Sequence, residues 1–334
     1  MLNIIYKTDL NSVNGPSKVV NNLIKGLKKL NYPFVLNKKI SSTPYAFIPN
    51  GKSNLFALRE KKDTKVIIGP NLFIMSTDIP IYIRSYIKQA SQFIQPCSWV
   101  VDLWKILDYR LTNLNIWPTG IDIDEFIPSN SKKKKKVLLY HKLRPQEELI
   151  LIKNVLDKMK LEYNLVIYGK YDEKTFKEIL AETSFILWHG KHESQGIALQ
   201  ESLACNIPIL VIECSSLWGQ INFGYDNLFD KLKKFKVTTV PYFDNTCGII
   251  VEKIDDLKDG INKISDEFTS FAPRGYVEKN LNLSKQAKEL LELFSLDATY
   301  PEYNNLLPEF KLPLTWQSVI KIKRIFNKNL FEKQ

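Results

Sequence analysis

Residues 185–211 read FILWHGKHESQGIALQESLACNIPILV. An apolar run, Phe185–Trp188, gives way to a polar loop that carries Gly190 and Gly196. A helical stretch, Ala198–Ala204, follows, and Pro208 then interrupts the chain before a second apolar run, Ile209–Ile212. Strand, glycine-containing loop, helix and strand make up the unit of a parallel sheet, whose neighbouring strands need a long crossover. Two carboxylates sit inside the unit. Glu193 lies in the loop at the strand's carboxyl end, and Glu201 lies eight residues on, within the helix. Backbone N–H groups near Gly196 point out of the helix start, where the dipole favours an anion. A carboxylate there opposes a phosphate unless the two meet different parts of one ligand. That division suits a nucleotide sugar: Glu193 accepts from sugar hydroxyls, the loop N–H groups hold the diphosphate, and Glu201 accepts from ribose hydroxyls. On spacing alone, the segment reads equally well as a helix with an N-terminal acid and a salt-bridged surface glutamate.

The same alternation runs outward in both directions. Upstream, Asn3–Tyr6, Pro33–Leu36, Tyr45–Ile48, Lys65–Ile68, Gln92–Gln95 and Asn115–Trp117 read as strands. Lys18–Leu30 has Val19, Val20, Leu23, Ile24, Leu27 and Leu30 at helical spacing, with Ser17 as its expected N-cap. Pro80–Ala90 and Ser98–Ile106 are further helices. A break follows at Pro128–Ser131 and the lysine run Lys132–Lys136, which reads as a solvated linker in preference to an anion patch. Strands Val137–Tyr140, Tyr163–Tyr168 and Gly248–Val251 and helices Glu147–Met159, Asp172–Ala181 and Ile254–Ile264 then form a second series around the quoted segment. Helix resumes from Pro273 to Phe294, and a proline-containing loop leads to a basic last helix near Trp316–Asn327. That helix is suited to an anionic membrane surface or to packing on the first domain, and packing is preferred. The expected fold class is α/β, with two doubly wound domains, 1–128 and 129–294, facing across a cleft, and a C-terminal segment, 295–334, packing back on the first.

Composition excludes several classes. The 334 residues carry a net charge of +11, with 44% hydrophobic and 25% charged side chains, ordinary for a globular protein. No run of 18 apolar residues occurs, and Met1–Lys7 reads as a strand rather than a secretion signal, so a cytoplasmic protein is expected. Cys97, Cys205, Cys214 and Cys247 show no metal-ligand spacing and read as free, mostly buried thiols. Only six of the 47 basic residues are arginine, which argues against base-edge reading of nucleic acid. Dinucleotide, P-loop and hydrolase-elbow motifs are absent. His189–Glu193 fits no zinc motif, and Asp122-Ile123-Asp124 reads as a turn and helix cap rather than a metal site.

Beyond its two glutamates, the quoted stretch resembles the E-x7-E block of retaining glycosyltransferases of the GT-B fold, in particular glycosyltransferase family four. Glu193-x-x-Gly196 and Glu201-Ser-Leu-Ala-Cys-Asn-Ile-Pro208 track that family's run. Other landmarks fall in order: Asn14-Gly15-Pro16-Ser17-Lys18 for the glycine-rich first loop, Gln95–Val100, Pro118–Phe126 for the turn before the second domain, Tyr168-Gly169-Lys170 for a strand-end glycine, and Arg274 to Leu291 for the closing helices. The resemblance implies a glycosyltransferase that moves a sugar from a nucleotide-diphosphate donor to a glycan, lipid or protein acceptor with retention, needing no metal or other cofactor. It implies that Glu193 orients the sugar, that Lys142 and Arg144 stabilise the leaving group, and that Gly15, Asn71, Gly169, Gly196 and Glu201 bind the donor. His192 reads as either a sugar contact or a structural residue. The family places arginine and then lysine where this chain has Lys142 and Glu147. Either Arg144 moves in or the clamp is weaker, and Glu147 must turn to solvent. The short first domain leaves acceptor recognition minimal or partly outside the chain. The reading from another class is a catalytically silent GT-B-like protein that binds a nucleotide sugar, a glycan or a partner.

Overall fold

Every paired strand of the computed structural model runs parallel to its neighbours, in two separate sheets. The structure describes residues 1–12, 14–49, 52–70, 90–107, 113–129, 136–214, 217 and 235–296. All belong to one of two compact units, Met1–Thr299; the other, Tyr300–Gln334, lies outside the described residues, as do the expected last helix, Asn71 and nearly all of the expected helix Pro80–Ala90.

The first sheet holds β1 (Leu2–Ile4), β2 (Phe34–Leu36), β3 (Tyr45–Ile48), β4 (Lys65–Ile68), β5 (Gln92–Gln95) and β6 (Leu114–Ile116) in the order β2-β1-β3-β4-β5-β6. Its helices include α1 (Gly15–Lys29) and α2 (Ser98–Leu107). The second sheet holds β7 (Lys136–Lys142), β8 (Tyr163–Ile167), β9 (Thr183–Gly190), β10 (Ile209–Ile212) and β11 (Gly248–Val251) in the order β11-β10-β9-β7-β8. With it come α3 (Gln146–Lys158), α4 (Glu173–Glu182), α5 (Ile197–Ala204), α6 (Leu257–Asp266) and α7 (Pro273–Asn280), and α8 (Leu283–Leu293) follows. In both sheets the chain reverses its direction of winding between the first and third strands, β1/β3 and β7/β9. A ligand crevice opens at such a reversal, beyond the carboxyl ends of the strands.

Side chains alternate between the two faces of each sheet, so each sheet separates two cores. Along β3 and β4, Phe47 and Ile67 point into one core, while Ala46, Ile48, Val66 and Ile68 point into the other. Along β7, Leu138 and Tyr140 face α4 and α5, whereas Val137 and Leu139 face α3 and α6. Fully burying each large aliphatic side chain stabilises by about 1.5–3 kcal/mol. This double-sided burial explains why the strands read as near-continuous apolar runs.

Two details differ from the sequence reading. Asn14, not Ser17, caps α1: its side chain accepts from the Ser17 N–H, and Ser17 Oγ turns inward to Tyr6 Oη at 3.0 Å and Ser12 Oγ at 2.8 Å. The second is that α8 lies against the first sheet, where Ala287, Leu290 and Phe294 share a core with Leu2, Ile4 and Val19. Gly26 and Gly120 permit this, since a Cβ at either would stand 2.5 Å from the Leu283 carbonyl oxygen or 2.7 Å from its Cα. The Trp117 indole N–H seals the join by donating to the Gln286 carbonyl at 2.8 Å. Asp122 behaves as a turn cap, accepting from the N–H groups of Asp124 and Glu125. Burial pushes the Cys97 and Cys247 thiols up to about 12, so both are inert. Among the described residues, no helix is long and apolar enough to cross a membrane.

Candidate functional site

The second sheet reverses between β7 and β9, and register pairs His141 with His189 and Lys142 with Gly190 at their carboxyl ends. Lys142 is therefore delivered to the reversal point by a central strand. The loop after β9 is held by backbone and indole contacts. Lys191 N–H donates to the Lys142 carbonyl, Glu193 N–H to the Thr238 carbonyl, and Trp99 Nε1–H to the Glu193 carbonyl at 2.8 Å. These place the Glu193 carboxylate 2.6 Å from Lys142 Nζ. Glu193 is buried, and desolvation raises its carboxyl pKa against the opposing pull of Lys142. Lys142 Nζ also stands 4.4 Å over the ring of Tyr168, which is half-exposed at the end of β8.

Gly196 begins α5 at φ +80°, a left-handed conformation that a side chain would strain. No side chain caps that helix. Glu201, one turn in, is 3% exposed, and its partner comes from the other sheet: Lys18 Nζ, on α1, lies 2.5 Å from Glu201 Oε1 and 3.4 Å from Glu173 Oε2. Burial pushes the Glu201 carboxyl up to about 7, Lys18 opposes this, and Glu173 and Glu125 add to it. Tyr171 is close enough to both glutamates to feel their charge. Burial raises its phenol, which bonds Tyr140 Oη at 3.0 Å.

Beside this lies a second network. Arg144 Nε donates to Glu148 Oε2 at 2.8 Å, and a terminal nitrogen reaches the Glu213 carbonyl at 3.2 Å. His189 Nε2 meets the same Glu148 oxygen at 2.8 Å, and His189 Nδ1 meets His141 Nδ1 at 3.0 Å. Burial holds His189 down at about 4, so the ring is neutral at pH 7. Its Nε2–H then donates to Glu148, and its Nδ1 accepts from His141. Burial works against the Glu148 carboxylate, but its bonds from His189 and Arg144 keep its pKa below the usual range.

The structure thus brings Lys142 and Glu193 together, with Gly196 and Glu201 on the adjoining loop and helix. Arg144 is committed to Glu148 and Glu213 instead of joining Lys142 at Glu193. Glu147 is exposed, as its position required. Gly169 follows Tyr168 at φ +77° with open space around it, and Gly15 opens α1 on the first sheet. His192 packs edge-on against the Trp99 ring at 5.4 Å. Sequence reasoning missed Lys18, Tyr171 and Glu148. The i,i+4 spacing of Arg144 and Glu148 carried a signal, whereas Lys18 and Glu201 are 183 positions apart and carried none. Gln195 was also missed. Its side chain bonds both the N–H and the carbonyl of Thr119, at 3.0 and 2.8 Å. Among the described residues, no cluster of three His, Cys, Asp or Glu side chains is arranged to hold a metal ion.

No family model and no curated protein matches the sequence. Solved structures do resemble it. The chain superposes on the apo lipopolysaccharide outer core galactosyltransferase WaaB with a TM-score of 0.55 at 13% identity, covering 88% of this chain and 99% of that one. Sucrose-phosphate synthase from Thermosynechococcus elongatus gives 0.56 at 11% identity, covering 88% and 98%. Anabaena HepE in complex with UDP and glucose gives 0.55 at 10% identity, covering 88% and 99%.

The chain has the GT-B fold.

In this GT-B chain, the pair Lys142–Glu193 occupies the reversal point of the second sheet. Lys18 reaches across from α1, the helix that follows the first strand of the first sheet, to the same loop-and-helix unit. Each of the two glutamates of that unit is thus buried against a lysine ammonium.

Proposed function

We propose that this protein is a glycosyltransferase that takes a sugar from a nucleoside-diphosphate donor and attaches it, with retention, to a hydroxyl of a glycan, lipid or protein acceptor. The observation that carries the reading is the arrangement of Glu193 and Glu201, each buried against a lysine ammonium, on one loop and helix at the strand ends. Solved structures of the same fold, among them the galactosyltransferase and the UDP complex above, support it.

Breaking the anomeric C–O bond leaves positive charge on the sugar and negative charge on the departing diphosphate. Lys142 meets that negative charge together with N–H groups around Gly196 and Gly15, which are fixed before reaction and need no reorganisation. Glu193 accepts from sugar hydroxyls and favours the cationic sugar electrostatically. Glu201 accepts from the ribose hydroxyls. In this reading, side-chain and backbone donors carry the leaving-group charge, and no metal is used. Donor-dependent closure of the two halves excludes water.

One observation favours a second reading. With Arg144 held by Glu148 and Glu213 and Glu147 turned outward, Lys142 is the one cation of the β7–α3 turn that faces Glu193. A weak clamp suits a protein that binds a nucleotide sugar without turning it over. Incubation with UDP-, GDP-, ADP- and CDP-sugars, following diphosphate release, separates the two. Release that depends on Glu193 and Lys142 supports the transferase. Tight binding with no release, for any acceptor class, supports the silent protein.

A further inference from the structure

The two glutamates belong to the second sheet's loop-and-helix unit; Lys142 ends β7 of the same sheet, whereas Lys18 comes from the first. Lys18 stands near the start of α1, beside the reversal point of the first sheet. Its side chain is 24% exposed, whereas that of Glu201 is 4% exposed. The ammonium therefore covers a buried carboxylate from the solvent side. It is also 3.4 Å from Glu173 and 5.6 Å from the Phe126 ring centroid.

A diphosphate needs counter-charge, and the turn after β7 supplies little. Arg144 is held elsewhere, and Glu147 is an acid in solvent. Two other lysines of the same acidic cluster are held within it: Lys177 by Glu125 and Glu173, and Lys25 by Asp122 and Glu125. Lys18 differs because its main partner, Glu201, is the group that the nucleotide reading assigns to ribose hydroxyls. If those hydroxyls engage Glu201, the ammonium keeps only the longer contact to Glu173, at 3.4 Å, as phosphate oxygens arrive.

We propose that Lys18 is a phosphate-binding residue of the nucleotide site, transferring from Glu201 to the diphosphate as the ribose engages that glutamate. The inference rests on the nucleotide-sugar reading above. A lysine suits such an exchange because its charge is compact and its four-carbon stem is flexible. The carboxylate left behind accepts hydrogen bonds from the ribose hydroxyls in place of the one from the ammonium. The consequence is that the first half of the molecule contributes a charged side chain to donor binding, in addition to backbone N–H groups.

The test is calorimetric titration of the full chain with UDP, GDP, ADP and CDP, each beside its monophosphate and its nucleoside. The wild type is expected to bind one diphosphate series. Lys18→Met should weaken the diphosphate about 10- to 100-fold, the strength of one charge-assisted contact, the monophosphate less, and the nucleoside not at all. Lys18→Arg should keep most of the diphosphate affinity. Equal losses across nucleoside, monophosphate and diphosphate would mean that Lys18 merely positions Glu201, and would overturn the proposal while leaving the nucleotide reading intact. A wild type that binds none of the four series removes the nucleotide reading and this inference together. Lys18→Met with Glu201→Gln, compared with Glu201→Gln alone, repeats the measurement without leaving a bare buried carboxylate that could unfold the single variant; the diphosphate-specific loss is expected there too.

Discussion

Glu201 and His189 are both buried and titratable, yet burial moves their proton affinities in opposite directions. Glu201, raised to about 7, binds its proton more tightly in the fold than in the unfolded chain. Its contribution to stability is full below the ordinary glutamate range and is lost as pH rises toward 7. His189, lowered to about 4, does the reverse: its contribution is full above the ordinary histidine range and is lost as pH falls toward 4. The difference in melting temperature between Glu201→Gln and wild type is expected to rise in the variant's favour from pH 5 to pH 8. A difference that stays flat would mean that Glu201 is not buried as described. The Lys142–Glu193 pair gives a second expectation. With both side chains largely buried, Lys142→Met strands a carboxylate and should cost about 3–5 kcal/mol in chemical denaturation. Adding Glu193→Gln should return most of that loss, because neither charge is then left alone.

At the scale of elements, most of the secondary structure was legible in the sequence. Double-sided burial turns strands into apolar runs, so the strands of both sheets showed up as such, as did the helices that cross between them. Strand ends were less legible. β9 was read as stopping at Trp188, where the apolar run ends, but pairing with β7 carries it on to Gly190. That extension creates the contact between His141 and His189. Tertiary partners were illegible where they join distant segments: nothing local marks Lys18 as the neighbour of Glu201, or Gly26 as the seat of α8. Of the site, the acidic spacing and the strand-end lysine were legible, and the cross-sheet cation was not. The α1–α8 join gives its own prediction. Alanine at Gly26 gains helix propensity, but its Cβ meets the Leu283 carbonyl at 2.5 Å and Ala287 Cβ at 2.9 Å. The clash should win by about 1–3 kcal/mol and lower the melting temperature; an unchanged or higher value would show that the helices separate freely.

On the scale of the whole molecule, two sheets with the same winding are joined so that α1 of one meets α5 of the other. Lys18 on Glu201 is that contact, and Gln195 on Thr119 is a second tie between the two halves. The second ties the loop of Glu193 to the turn that leads from the first sheet toward the second. Gln195→Ala leaves the buried backbone groups of Thr119 without those partners and should destabilise by about 1–3 kcal/mol. It should also weaken nucleotide binding, because the loop loses its anchor; destabilisation with unchanged nucleotide affinity would separate the anchor from the site. The central claim is that this junction binds a nucleoside diphosphate through Glu201. It is tested most directly by thermal shift of wild type and Glu201→Ala with UDP, GDP, ADP and CDP. At about a hundred times its dissociation constant, a ligand stabilises by about 2.7 kcal/mol. One of the four diphosphates should raise the melting temperature of the wild type, and that shift should disappear in Glu201→Ala. A folded wild type that responds to none of the four, or a shift that survives in the variant, would contradict the claim.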